Sequence, residues 1–300
     1  MTNKLRPLLA TEVKNLKDLK LPMLASVKLD GIYALIVDGV IYSRSFKPIK
    51  NKHVQKLFGN RDLNGLVGEL VCGDVYAEDV FRQTTTATMA EYGVNDVKLY
   101  VFDDWSVGDK PYQERYQHYQ RRIKALNHGS IVALEHNMLH TIDEVITALD
   151  KEQKRNGEGI ILRLPSAKWK NGRSTPKSQE SVKLKFFEQQ EYKIVDVVER
   201  MHNANEAKVN ELGYTERSSH KDNMIPMNTF GAFVMELQDG RNFNVGSGLG
   251  LTDAVRKEIW NNRDKYIGKI ATVRQMKVGS KNGIPRLPTF VGLRDKDDMS

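Results

Sequence analysis

Lys28 stands where a short apolar run ends and the chain turns, in Ser26-Val27-Lys28-Leu29-Asp30-Gly31. A lysine amine is a nucleophile once it has lost its proton. Two carboxylates sit at comparable places. Glu69 lies in the apolar stretch Gly68-Glu69-Leu70, and Glu158 opens Glu158-Gly159-Ile160-Ile161-Leu162-Arg163. Carboxylate oxygens suit a hard divalent cation. The glycine beside each lets a ligand or a neighbouring strand approach closely. Lys183 and Lys185 alternate, so both lie on one strand face, and period-two alternation likewise puts Tyr100 and Phe102 together. Arg44, in Ser43-Arg44-Ser45, adds a cation after a hairpin. A lone Lys-x-Asp-Gly is weak, since short patterns recur by chance. The set in order is a stronger signal.

The elements that must position these residues are short and β-rich. Apolar or alternating runs bounded by turn residues predict strands at 24–28, 33–38, 66–72, 97–102, 159–164 and 181–186. Asp38-Gly39 predicts a hairpin turn. Helical patterns cover 112–126 and 141–155, the second opened by the capping signature Thr141-Ile142-Asp143-Glu144 and stopped by Gly157. Beyond Phe187 the character changes. Strands are expected at 191–199, 231–237, 242–245, 270–278 and 288–293, with a helix at 252–262 and a second hairpin at Asp239-Gly240. Residues 201–228 are polar and weakly patterned and read as a long loop or mobile insertion. Several strands with one helix in so short a segment suit an all-β barrel of the OB type. The expected domains are therefore 1–189, an α+β domain of antiparallel sheets with flanking helices, and 190–300, the barrel.

The 300 residues allow two domains. No apolar run approaches the ~18 residues of a membrane span, and the polar N-terminus lacks a secretion signal. A single cysteine, Cys72, excludes an internal disulfide framework and a multi-cysteine zinc module. These features predict a cytoplasmic protein. The net charge of +8 favours a polyanionic partner. It is uneven: 29 basic against 23 acidic residues in 1–189, and 17 against 15 in 190–300. The densest basic stretch holds Lys168, Lys170, Arg173, Lys177, Lys183 and Lys185, with Trp169 inside it. It reads as a phosphate-contacting surface or, more blandly, a solvated loop. The seven histidines show no metal-ligand spacing.

The ordered series around Lys28, Arg44, Glu69, Phe102, Glu158 and Lys183 resembles the covalent nucleotidyltransferase superfamily: ATP-dependent DNA ligases, RNA ligases and mRNA capping enzymes. Phe230-Gly231-Ala232-Phe233-Val234, Asp239-Gly240-Arg241, Val245-Gly246-Ser247-Gly248 and Pro285-Arg286-Leu287-Pro288-Thr289-Phe290 resemble the OB domain of small two-domain ATP-dependent DNA ligases of phage or bacterial accessory type. The resemblance implies a nucleotidyltransferase domain followed by an OB fold, and a lysyl-AMP intermediate on Lys28. It implies that Asp30, Lys183 and Lys185 serve catalysis with Lys28. Ser26, Val27, Arg44, Glu69, Tyr100 or Phe102, Glu158, Lys183 and Arg294 would bind the nucleotide, with Phe102 favoured for stacking on adenine. Glu69 and Glu158 would hold Mg²⁺ or Mn²⁺. The implied cofactor is ATP, and the implied partner is nicked double-stranded DNA met by a monomer, with no membrane.

The chain departs from the family pattern in four places. Tyr33 stands where DNA ligases usually carry Arg, Ser26 where Glu is frequent, and Arg163 where Lys is common. Arg294-Asp295-Lys296-Asp297 transposes the acid and lysine of the final motif. NAD-dependent ligation is disfavoured by the single cysteine and by only 27 residues before Lys28. The other readings are an RNA ligase, a capping-type guanylyltransferase, whose pattern has Thr where Leu29 stands, and a non-catalytic nucleic-acid-binding OB module.

Overall fold

The structure, a computed structural model, describes residues 5–294 except 282, and for 277–281 the backbone alone. The chain divides into two compact units, Met1–Phe186 and Phe187–Ser300.

Two larger sheets and a two-stranded parallel pair, Leu8–Leu9 with Gly172–Arg173, build the first unit. The five-stranded sheet runs in the order Val40–Ser43, Ile32–Val37, Leu66–Cys72, Val97–Asp104, Ile131–Ala133. Its pairs are antiparallel except the last, which is parallel, a departure from the purely antiparallel expectation. The four-stranded sheet is antiparallel, in the order Ser181–Lys185, Gly159–Arg163, Met23–Val27, Asn137–Leu139. Strand alternation decides what this sheet shows to each side. Met23, Ala25, Ile160, Leu162, Val182 and Leu184 enter one buried core. The intervening residues, Ser26 and Lys28, Ile161 and Arg163, Lys183 and Lys185, are left for the opposite face.

Helices flank the sheets as the sequence predicts. Tyr112–Leu126 packs on Val97–Asp104, and Ile142–Lys154 on Gly159–Arg163. The Thr141 side chain accepts from the Glu144 N–H at 3.2 Å, and the Glu144 carboxylate reaches back to the His140 N–H at 2.6 Å. This is the capping box displaced by one residue at its outer partner. Two helices escaped the pattern, Lys52–Phe58 and Val80–Met89. The second is rich in threonine, a residue of low helix propensity, and is held by packing against Leu66–Cys72.

The second unit is a five-stranded antiparallel sheet in the order Asn242–Val245, Met224–Glu236, Phe187–Asn203, Ile270–Lys281, Ile284–Leu293. It curls on itself: Phe290 bridges Gly248, and the Phe290 N–H donates to the Ser247 carbonyl at 2.8 Å. The helix Asp253–Asn261, capped by Thr252, packs on Met224–Glu236. Phe230, Phe233, Met235, Val245 and Val273 form its core. The loop expected at 201–228 is instead ordered. Phe187–Asn203 and Met224–Glu236 continue as a paired ribbon, with Met201 opposite Pro226 and Asn203 opposite Met224. Ala207–Val209 and Thr215–Arg217 form a small hairpin at its end. These strands are exposed on both faces, so no alternation betrays them.

Among the described residues, no helix is long and apolar enough to cross a membrane.

Candidate active site

Lys28 follows the Met23–Val27 strand directly, and its N–H donates to the Gly159 carbonyl at 2.9 Å. Register then puts Gly159 beside Lys185, and Ser26, Ile161 and Lys183 in one row across three strands. The buried Glu158 carboxylate lies between two lysines: Oε2 accepts from Lys28 Nζ, and Oε1 pairs with Lys185 Nζ at 2.7 Å. Burial alone would raise the Glu158 pKa. Lys28 and Lys185 outweigh that and hold it below the usual carboxylate value. Burial also lowers the pKa of Lys185, against the pull of Glu158 and helped by Lys28.

Glycine is required around this triad by close approach. A Cβ at Gly159 would lie 2.0 Å from the Leu184 carbonyl oxygen, and the residue also has φ +140°. A Cβ at Gly31 would lie 2.1 Å from the Leu70 carbonyl oxygen. The Asp-Gly pair therefore lets the five-stranded sheet close on the lysine-bearing segment, which no larger residue permits.

Glu69 comes from that second sheet, paired with Tyr33 on one side and Tyr100 on the other. Its pKa is pushed up to about 8, first by burial and then by Glu158 and Asp30, while Lys28 and the Gly31 N–H oppose the rise. Phe102 occupies a β-bulge, the register shifting between Val67 and Gly68. Behind it is a buried polar network. Tyr112 Oη donates to the Phe102 carbonyl at 2.7 Å and contacts His136 Nε2 at 2.9 Å. Asp103 accepts from Arg115 Nε at 2.7 Å and from Arg163 at 3.1 Å. Arg163 lies over Phe102, its guanidinium carbon 4.9 Å from the ring centre. Burial, with the Arg163 charge, lowers the His136 pKa to about 3, so the imidazole is neutral.

These residues wall one cleft of about 890 Å³ including its open mouth. Of the residues expected to bind nucleotide or to serve catalysis, Ser26, Val27, Lys28, Arg44, Glu69, Phe102, Lys183 and Lys185 line it. Glu158 lies behind, reaching the cleft through its two lysines. Tyr100 and Asp30 are not on the wall, although the Asp30 charge is felt by Glu69. Tyr100 and Phe102 pack against the same cluster, as alternation predicts, but only Phe102 reaches the cleft wall. Arg294 belongs to the second unit, where its guanidinium pairs with Glu191. Residues 295–297 of the same motif lie outside the described residues.

Lining features not assigned to this site from sequence include Tyr33, Arg163, Arg173 and the Leu8–Ala10 segment. Arg163 was readable, since it alternates with Ile161. Arg173 is exposed like the rest of the basic surface, and it also lines the cleft and donates to the Ala10 carbonyl at 2.9 Å. Lys170 is ion-paired with Glu180 at 3.3 Å and Lys183 with Glu12 at 3.2 Å. Lys168 and Lys177 remain as exposed cations of that stretch. Two buried side-chain polar atoms among the described residues have no hydrogen-bond partner, Tyr33 Oη and Arg163 Nε. Such atoms cost about 1–3 kcal/mol each.

Among the described residues, no group of three or more metal-binding side chains occurs. Glu69 nonetheless fits a divalent cation: its oxygens are hard donors, and the buried carboxyl is half neutral near pH 8 unless positive charge comes close.

The family model of the ATP dependent DNA ligase domain matches residues 7–185, and that of the DNA ligase OB-like domain matches residues 226–294. Two solved structures of Chlorella virus DNA ligase-adenylate are similar over nearly the whole chain. One is 28% identical, covers 98% of this chain and 99% of that one, and has a TM-score of 0.55. The other is 26% identical, covers 96% and 99%, and has a TM-score of 0.54. A structure from work on Lig E DNA ligases, described as binding DNA with a minimal scaffold, shares 20% identity over 96% of this chain and 99% of that one. Its TM-score is 0.69, a likeness of fold. No curated protein sequence matches significantly. With the first family model covering more than half of its length, the chain belongs to the ATP-dependent DNA ligases.

Proposed function

We propose that this ligase seals nicks in duplex DNA with Lys28 as its nucleophile, as a monomer. The observation that carries the reading is the Lys28–Glu158–Lys185 triad at one end of a cleft walled by Glu69, Phe102 and Lys183. Lys28 Nζ, deprotonated, attacks the α-phosphorus of ATP. A P–N bond forms, the bond to the β-phosphate oxygen breaks, and pyrophosphate leaves. The 5′-phosphate oxygen at the nick then attacks the same phosphorus, and the P–N bond breaks to return the amine. Finally the 3′-hydroxyl attacks the 5′-phosphorus and AMP departs.

Each side chain has a physical reason for its part. Lys183 and Lys185 offset charge that builds on the phosphate oxygens during in-line displacement. Glu158 holds Lys28 in the cleft and orients Nζ. Phe102, fixed by Tyr112 and Arg163, offers its ring to the base. Ser26 and the Val27 backbone lie on the lysine-bearing strand, where the edge of the base would meet them. Arg44 and Arg173 bring further positive charge. Glu69, with Glu158 near it, would hold Mg²⁺ or Mn²⁺ completed by phosphate oxygens and water, and the ion would draw off negative charge from the phosphate. Asp30, off the cleft wall, would help to hold the lysine segment. Arg294 would orient pyrophosphate.

The test is incubation with α-labelled ATP and, separately, GTP. An acid-labile AMP adduct mapped to Lys28 is expected, followed by sealing of a nicked duplex. A GMP adduct would indicate capping chemistry, and no adduct a binding protein. Sedimentation of the purified chain checks the monomer.

A further inference from the structure

The Glu158 end and the Arg163 end of the cleft ask for different things. Lys28 and Lys185 gather near Gly159, and Lys183 stands opposite Ile161. Arg163 lies four residues further along the same strand, about 13 Å at the usual rise. That is the span of a nucleotide from phosphate to base. At the far end, Arg163 Nε and Tyr33 Oη are both buried and both unpartnered, and both residues line the cleft. Each also flanks Phe102: the Tyr33 ring centre lies 5.8 Å from that of Phe102, and the Arg163 guanidinium lies over it. Tyr33 is moreover the strand neighbour of Glu69.

We infer that Tyr33 Oη and Arg163 Nε together hold one hydrogen-bond acceptor of the bound nucleoside, a purine ring nitrogen or a ribose oxygen. Arg163 Nε–H can only donate, and a phenol can donate at the same time, so one acceptor atom satisfies both. The phosphates are drawn instead to the ammoniums of Lys28, Lys185 and Lys183, which leaves an atom of the nucleoside for this pair. Tyr33 is thus a nucleotide-seating residue in place of a cation. This rests on the cleft being the ATP site.

The experiment measures equilibrium binding of ATP and of 3-deaza-, 7-deaza-, 2′-deoxy- and 3′-deoxy-ATP to wild type and Tyr33→Phe, alongside the rate of Lys28 adduct formation against ATP concentration. One neutral hydrogen bond corresponds to roughly three- to tenfold in affinity. Tyr33→Phe should weaken ATP by that factor, raise the half-saturating ATP concentration by the same factor and leave the maximal adduct rate near wild type. One analogue should bind wild type more weakly than ATP does, and its penalty should shrink in Tyr33→Phe to what the Arg163 bond alone supplies. A deaza analogue assigns the acceptor to the base, a deoxy analogue to the ribose. Equal ATP affinity in the two proteins, or identical analogue penalties in both, would overturn the inference and leave the pair holding water. Should ATP bind without any Lys28 adduct, the ligase mechanism fails, while the binding cycle still decides the role of Tyr33. No ATP binding by wild type would overturn both.

Discussion

Glu69 ties the electrostatics of the site to the stability of the fold. Burial lifts its pKa from 4.5 to about 8 in the folded chain. Between those values the folded protein keeps a proton that the unfolded chain has released, so stability falls as pH rises through that window. Below it both states are protonated, and above it both are ionised. Glu69→Gln should remove the slope: its melting temperature relative to wild type is expected to climb from pH 5 to pH 8, and parallel curves would deny the shift. Glu158 behaves oppositely, because its charge is the partner of two ammoniums. Glu158→Gln is expected to destabilise by about 3 kcal/mol in a urea melt near neutral pH, and to slow Lys28 adduct formation at least about a hundredfold. Lys28, Glu69, Glu158 and the paired lysines were legible in the sequence because reactive types stood beside glycines at strand ends. Arg163 was readable by its alternation with Ile161, but the unpartnered atoms of Tyr33 and Arg163 were not, since such an atom is a property of packing and leaves no local pattern.

At the scale of elements, close backbone approach does what residue chemistry alone does not. Gly31→Ala drives a Cβ against the Leu70 carbonyl. It should cost about 1–3 kcal/mol and displace Lys28, so a lowered melting temperature and a lost adduct are expected together. A near-native melt with normal adduct formation would show that the two sheets can part there cheaply. Period-two reasoning holds from Val97 to Phe102, which puts Tyr100 and Phe102 against one cluster, and the bulge at Phe102 shifts the register only beyond it. Such reasoning fails at the 201–228 ribbon. Its tip strands are exposed on both faces, and sequence periodicity reports burial, which they lack. Replacing residues 204–223 by a short turn should therefore shift the melting temperature by only a few degrees, because the core of that unit lies elsewhere. A collapse of the unit would contradict this.

For the whole molecule, the order of the two domains was readable because turn signals and strand patterns change character near residue 187. The distribution of charge was less so. A basic run in sequence became two exposed lysines, an ion-paired Lys170 and a cleft-lining Arg173 once folded. Replacing Lys168 and Lys177 by Ala should flatten the salt dependence of nicked-duplex affinity by up to about two log–log units while sparing adenylylation. Arg173→Ala should instead impair adenylylation, which a single adduct assay separates. The central claim, that Lys28 carries AMP and is spent as a nucleophile only in the first step, is tested most directly by Lys28→Ala on two substrates. With ATP and an unmodified nick, no protein adduct and no sealing are expected. With a nick already carrying 5′-AMP, sealing should persist, because that step needs only the 3′-hydroxyl, the cleft and the departing AMP. An AMP adduct on the Ala protein, or equal loss of both reactions in a protein that melts like wild type, would contradict the account.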